Sequence, residues 1–253
     1  MLLNGGSVAV AEEMAAAKVG QPLAVVEAFC PGKRGSAAIA SSLFGEVNVW
    51  GRMPYAVYEA GWVNQTKMDQ HDLAADVGRT YRYYTGTPIF KFGSGLSLTT
   101  FAVTAKAAAD ARDAGGDAGS ISSTGCTFAS SATNGGCRLA VTVKNTGTVP
   151  GDVVVTAYFS FVAVPSQKAS KMIKQLFDFA RVEALPPGRS ATLHMVASPE
   201  TLKVADVGSG GLISAAGTYS LSFEDGSSRT SPSTVPVTIT GGDTVLEPFP
   251  GAS

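Results

Sequence analysis

The side chains able to do chemistry are few and scattered. Glu27, Glu59, Asp69, Asp72 and Asp76 form no local acidic motif. Each reads as a solvated or salt-bridged carboxylate rather than an acid–base catalyst. His71 and His194 lie far apart, and no Cys-x-x-Cys pair or His/Cys cluster has the spacing of a metal site. Cys126 and Cys137 flank a Ser/Thr/Asn/Gly-rich stretch and could close a short loop in an oxidising compartment, which leaves Cys30 over, behind an apolar strand. Three free thiols fit the sequence nearly as well. Gly93-Ser94-Gly95 lacks the strand and helix that flank a phosphate loop, and Gly-x-Ser-x-Gly is absent, so neither a nucleotide site nor a serine nucleophile is indicated. Asn64-Gln65-Thr66 is a glycosylation acceptor pattern, usable if the chain is secreted.

The composition narrows the classes of partner. With 45% hydrophobic and 15% charged residues in 253, the chain can bury a core as one large domain or two modest ones. A formal net charge of −1 and no basic run argue against nucleic acid and against an anionic membrane surface. The longest apolar stretch, Val153 to Val164, is interrupted by Thr156, Tyr158 and Ser160 and is too short to span a bilayer. Met1-Leu2-Leu3-Asn4-Gly5-Gly6 has neither the basic nor the apolar region of a signal peptide. We read it as the start of a chain that begins downstream of the start of a longer protein.

The elements come in two styles. Leu23 to Phe29 reads as a buried strand between Gly20-Gln21-Pro22 and Pro31-Gly32. Ile39 with Leu43, and Ala40 with Phe44, indicate a helix from Gly35 to Phe44, with Ser36 placed to cap it and Gly45 to end it. An earlier helix is expected over Ala11 to Lys18. This order implies an α/β layer with parallel pairing, and so few strands imply the last part of a larger sheet. Residues 46 to 100 are aromatic and aperiodic, as in a strap laid across a partner domain. Residues 105 to 136 read as a flexible Ala/Gly/Ser/Asp-rich insertion. From Cys137 the period is two: Leu139, Val141 and Val143, a turn at Asn145-Thr146-Gly147, a central strand from Val153 to Phe161, then Leu176 to Leu185, Ala191 to Val196 and Thr218 to Glu224, with Val235, Val237 and Ile239 as a final edge strand. The expected fold class is therefore mixed. A partial α/β unit, the parallel-sheet remnant of a three-layer sandwich, is followed by an all-β immunoglobulin- or fibronectin III-like sandwich. The corresponding divisions are 1–100, a first strand and insertion over 101–136, the sandwich over 137–245 and a tail over 246–253.

Two stretches go beyond fold class. Leu43-Phe44-Gly45, Asn48, Gly51-Arg52, Pro54 and Tyr58 form one. Gly78-Arg79-Thr80-Tyr81-Arg82-Tyr83-Tyr84-Thr85-Gly86 followed by Phe92-Gly93-Ser94-Gly95-Leu96-Ser97 forms the other. Their order and spacing resemble the carboxyl-terminal part of family 3 glycoside hydrolases, of the β-xylosidase/β-glucosidase kind. Val141-Thr142-Val143-Lys144-Asn145-Thr146-Gly147, Gly151-Asp152, Arg181, Pro187-Gly188 and Gly217-Thr218-Tyr219 resemble the fibronectin type III-like domain that closes many of these enzymes. Phe29-Cys30-Pro31-Gly32-Lys33-Arg34-Gly35 departs from the family, with two basic residues at a usually acidic or amide position.

The resemblance implies retaining hydrolysis of a terminal sugar, through two carboxyl groups about 5–5.5 Å apart, without metal or organic cofactor. In the family the nucleophile lies in an amino-terminal barrel and the acid/base lies upstream of residue 1. No catalytic residue is therefore assigned here. The implied partners are the missing barrel and the rest of the α/β domain, with an oligosaccharide as substrate of the intact, extracellular or cell-wall enzyme. Gly51, Arg52, Pro54, Gly78, Arg79, Thr80, Tyr81, Arg82, Phe92, Gly93, Gly95 and Leu96 are expected to act structurally. Strand-like alternation would put Arg79, Tyr81 and Tyr83 on one face, pinning residues 78 to 101 across the α/β layer toward the barrel. Direct stacking of Tyr81 to Tyr84 on a pyranose is the competing role. A non-catalytic carbohydrate-binding or interaction protein, or a truncated gene model, are the alternatives to an enzyme portion.

Overall fold

The computed structural model describes residues 2–3, 24–108, 120–122, 125–132, 135–163 and 171–250. The expected helix over Ala11 to Lys18 lies outside them. Most of the regular structure is β-sheet, with few helices. Among the described residues no helix is long and apolar enough to cross a membrane.

The amino-terminal part is sparse. Strand β1 (Leu2–Leu3) pairs parallel with β2 (Val26–Glu27), Leu2 opposite Val26. Parallel pairing is as expected, but the strand predicted over Leu23 to Phe29 is reduced to two residues and is only half-buried. Two strands offer too little partner surface to bury both faces. For the same reason Cys30, expected behind an apolar strand, is exposed. Helix α1 (Gly35–Leu43) follows, and none of its residues is buried. Its cap is Arg34 without a side-chain bond, not Ser36. A tight turn, Gly35 N–H to Gly32 C=O at 2.8 Å, feeds the backbone directly into the helix. Gly45 ends it at φ +77°, a left-handed conformation that glycine adopts without a Cβ penalty. The stretch to residue 100 is irregular apart from a 3₁₀ helix (Ala60–Asn64) and a single helical turn, α2 (Thr80–Tyr83). That turn overturns the alternation expected from Arg79 to Tyr84.

The rest is sheet. One sheet has the order β4 (Ser120–Ser122), β5 (Gly125–Ala129), β13 (Ser233–Thr240), β12 (Gly217–Glu224), β7 (Gly151–Ala163) and β8 (Gln175–Leu185). A second joins β3 (Phe101–Ala107), β6 (Cys137–Asn145) and β9 (Ser190–Ala197). A small third sheet runs β10 (Val204–Ala205), β11 (Leu212–Ser214), β14 (Thr244–Glu247). The two larger sheets pool their inward residues in one core that includes Phe101, Leu139, Val141, Val155, Phe159, Leu221, Phe223 and Val237. Period-two alternation builds it. On β13, Val235, Val237 and Ile239 are buried while Thr234, Pro236 and Thr240 are exposed. Strand β7 is buried on both faces along most of its length, as its largely apolar sequence requires.

Two expectations fail here. Strand β13 is not an edge. Parallel β5 takes its free side, with Val237 opposite Cys126 and Ile239 opposite Phe128. The segment expected to be a flexible insertion supplies that strand, and the Cys126–Cys137 disulfide (Cα–Cα 6.2 Å) ties it to β6 in the other sheet.

The junction as candidate functional site

The motif residues converge on the contact between the irregular segment and the sheets. Asn48 is the first anchor. Val47 and Val49 point outward while Asn48 is buried. Its Nδ2 donates to the Pro150 carbonyl at 3.2 Å. Its Oδ1 accepts from Ser97 Oγ and the Leu98 N–H, each at 3.1 Å. Two residues after Pro150 on the sheet side, buried Asp152 pairs with Arg181 and accepts from the Ala184 N–H at 2.8 Å. Arg181 also donates to the Val49 carbonyl at 3.1 Å, so its planar fork joins both parts. Asn145, fully buried, accepts from Thr99 Oγ1 at 2.9 Å and the Gly147 N–H at 3.0 Å, and donates to the Val149 and Leu185 carbonyls.

Arg52, Gly93, Gly95 and Gly226 make the second anchor. Arg52 Nε donates to the Asp225 carbonyl at 2.6 Å. Burial lowers the Arg52 pKa, Asp225 opposes that, and Arg181 adds to it. The Gly93 N–H donates to Met53, and the Gly95 N–H to Gly226, at 2.8 and 3.0 Å. Glycine is required on both sides of this contact. A Cβ on Gly226 (φ +76°) would lie 2.1 Å from the Gly93 carbonyl oxygen, and one on Gly93 (φ +77°) 2.4 Å from Tyr158 Oη. Gly51 and Pro54 are exposed, and Leu96 is 62% exposed.

The aromatic strap makes the third. Tyr81 stacks on Phe92 (centroids 4.2 Å apart, 17° between planes) and meets Tyr158 of β7 edge-on at 5.9 Å. Tyr81 Oη accepts from the Leu176 N–H at 3.1 Å, and the Arg82 carbonyl from the Ile173 N–H at 2.6 Å. Lys174 Nζ sits 3.9 Å from the Tyr158 ring centroid and 3.2 Å from Glu224. Burial pushes the Tyr158 hydroxyl up to about 12, with the neighbouring Thr156 side chain pulling the other way and Glu224 adding to the rise. Arg79 works locally. Its Nη2 donates to Thr66 Oγ1 at 3.1 Å and to the Lys67 carbonyl, and its guanidinium lies 6.0 Å from the Trp62 ring. Thr80, at φ +61°, gives its N–H to Tyr58 Oη at 2.6 Å. Gly78 is fixed by crowding, since a Cβ there would sit 2.1 Å from the Tyr83 carbonyl oxygen. The described contacts of Tyr81 and Arg82 thus run to Phe92 in the strap, to Tyr158 of β7, to Leu176 of β8 and to Ile173 just before β8.

Of the acidic residues, Glu27 and Asp225 make local hydrogen bonds. Glu27 accepts from the Phe29 N–H at 2.7 Å and also hydrogen-bonds Tyr55, whose pKa rises through desolvation first and Glu27 second. Asp225 accepts from the Ser227 N–H and Thr230 Oγ1, each at 3.0 Å, beside a shallow depression lined by Arg52, Leu96, Ser97 and Arg229. Glu59, Asp69, Asp72 and Asp76 are exposed, as are His71 and His194. Among the described residues no group of three His, Cys, Asp or Glu could hold a metal ion. Asn48, Asp152, Arg181 and Tyr158 were missed as site residues. Three of them lie inside the quoted motifs, and the signal was there to be used.

Fold and junction together define a mostly β protein in which an irregular aromatic segment is bolted to a two-sheet core. Comparison supplies the family. The glycosyl hydrolase family 3 C-terminal domain matches residues 1–98, and the fibronectin type III-like domain matches residues 153–227. A xylan 1,4-β-xylosidase of Xylanibacter ruminicola is 27% identical over 79% of this chain and 20% of its own length. A probable exo-1,4-β-xylosidase of Aspergillus oryzae is 30% identical over 98% of this chain and 30% of its own. A solved family 3 exo-β-xylosidase, in complex with a xylobiose aziridine probe, shares the fold with TM-score 0.76 at 22% identity, over 100% of this chain and 32% of that one. The chain belongs to glycoside hydrolase family 3 as a carboxyl-terminal portion, and spans a third or less of these relatives.

Proposed function

We propose that this chain closes a secreted, exo-acting, retaining β-glycosidase of the xylosidase/glucosidase kind, and supplies its scaffold rather than its catalytic carboxylates. In this reading residues 1–100 end an α/β sandwich domain, and the two larger sheets form an immunoglobulin- or fibronectin-type sandwich. The intact enzyme removes a terminal non-reducing sugar from cell-wall or related oligosaccharides. The observation that carries the reading is the convergence of the matched motif residues on the sheet core, through Asn48, Arg52, Tyr81 and Gly93. Tyr219 supports the sandwich. Its hydroxyl donates to the Ala215 carbonyl four residues upstream, the corner contact of immunoglobulin-like domains. Exposed Leu43, Phe44, Val47, Val49, Leu96 and Leu98 support a further layer of protein over this face. The disulfide supports an oxidising compartment.

The test is turnover of aryl β-xyloside and aryl β-glucoside by purified 1–253. The expected result is none above background. Turnover abolished by a single Asp or Glu substitution within the chain would overturn the scaffold reading.

A further inference from the structure

We propose that Asn64 carries an N-linked glycan, and that the Thr66 hydroxyl serves the glycosyl transfer while the chain is extended and Arg79 once it is folded. The proposal rests on the secreted reading above. Asn64-Gln65-Thr66 is the chain's single Asn-x-Ser/Thr pattern among five asparagines. The residue patterns alone leave open whether such a site faces solvent. Here Asn64 ends the 3₁₀ helix and is exposed, and Gln65 turns the chain back through its N–H to the Trp62 carbonyl at 2.9 Å. Trp62 points the other way, stacked on Tyr58 at 4.5 Å. Val63 and Met68, 67% and 94% exposed, show that the turn projects from the surface. The Cys126–Cys137 disulfide belongs to the same compartment in which such transfer occurs.

The step balances with a donor from the host's secretory pathway, a lipid-pyrophosphate-linked oligosaccharide. The Asn64 amide nitrogen forms the bond to the sugar C1, the C1–oxygen bond to pyrophosphate breaks, and the amide proton leaves to a base of the transferase. Transfer requires a hydroxyl at the third position before folding. After folding that hydroxyl accepts from Arg79 Nη2 at 3.1 Å, half-buried beneath the turn. The glycan site and the strap anchor therefore share Thr66.

The experiment expresses the full chain behind a cleavable secretory leader in a eukaryotic host, with a reporter Asn-x-Thr appended after Ser253. Forced entry separates this proposal from where the native protein resides. Wild type should lose two glycans' mass on glycosidase treatment. Asn64→Gln and Thr66→Ala should lose one, and Thr66→Ser should keep both. After deglycosylation, Thr66→Ala should melt about 2–4 °C below Asn64→Gln, because only it removes the hydroxyl that accepts from Arg79. Reporter occupancy with Asn64 bare overturns the glycan. Equal melting of the two variants overturns the double role of Thr66. A glycan here with none on the protein from its own source would instead sink the secreted reading.

Discussion

Gly226 and Gly188 both hold left-handed conformations, at φ +76° and +72°, but their surroundings differ. Nothing lies within 4 Å of a Cβ on Gly188, whereas one on Gly226 meets the Gly93 carbonyl and the Arg52 side chain at 2.1 and 2.7 Å. An alanine at either site meets the backbone penalty of about 1–2 kcal/mol. Only at Gly226 must the strap also shift, which adds about 1–3 kcal/mol. Urea midpoints at unchanged slope should therefore place Gly226→Ala well below Gly188→Ala. Coincident midpoints would mean that the strap does not seat on this loop. Single residues of this kind were partly legible beforehand. Gly93 and Gly95 stood out as motif glycines, and their role as close-approach positions follows from their neighbours. Gly226 did not, because its Asp225-Gly226 dipeptide reads as an ordinary turn. Only the structure brings it against a residue 133 positions earlier. Arg79 is expected to act structurally, and its partners Thr66, Lys67 and Trp62 lie within its own segment.

The elements with strong alternation were legible, and those that depend on a distant partner were not. Strands β6, β7, β9 and β12 lie where their apolar periods put them, because one register alone buries Leu139, Val141 and Val143 or Leu221 and Phe223. Strand β5 escaped notice. Cys126 and Phe128 are its only buried side chains with a period of two, set in a run of small polar residues. It exists because β13 offers a free edge and the Cys126–Cys137 bond holds it there. The bond closes a loop of 11 residues' separation, and losing it is expected to cost about 2–3 kcal/mol. The paired variant Cys126→Ser/Cys137→Ser should melt lower than wild type, and amide exchange should accelerate over Thr127 to Ala129 before it does over β12. Reductant should reproduce the effect in wild type and do nothing further to the variant. Unaltered exchange in β5 would show that pairing with β13 suffices without the covalent tie.

At the scale of the molecule, the question is which part of the chain folds as a unit. Periodicity alone starts the sandwich at Cys137, where alternation becomes clear, and so leaves the preceding strand outside. The contacts argue for an earlier start. Strand β3 pairs with β6 at seven positions, from Phe101 opposite Asn145 to Ala107 opposite Leu139. Phe101 is almost fully buried, and the buried Thr99 hydroxyl satisfies Asn145. Removing residues before 137 would strip β6 of one neighbour, take Phe101 and Phe128 from the core, and leave Asn145 Oδ1 short of its hydroxyl donor. Deleting one buried Phe already costs about 3–5 kcal/mol, which is comparable to the whole stability of many domains. A fragment 99–250 should therefore unfold in one cooperative transition, with a far-UV signal of β-sheet, while 137–250 should show no such transition or should aggregate. The contrast also separates the two halves of the chain, since residues 24–98 contribute little buried apolar surface and no buried helix residue. If 137–250 melts as cooperatively as 99–250 and at the same midpoint, then β3 and β5 are passengers on a sandwich complete without them. The core shared by the two larger sheets would then be smaller than the contacts of Phe101 and Phe128 require.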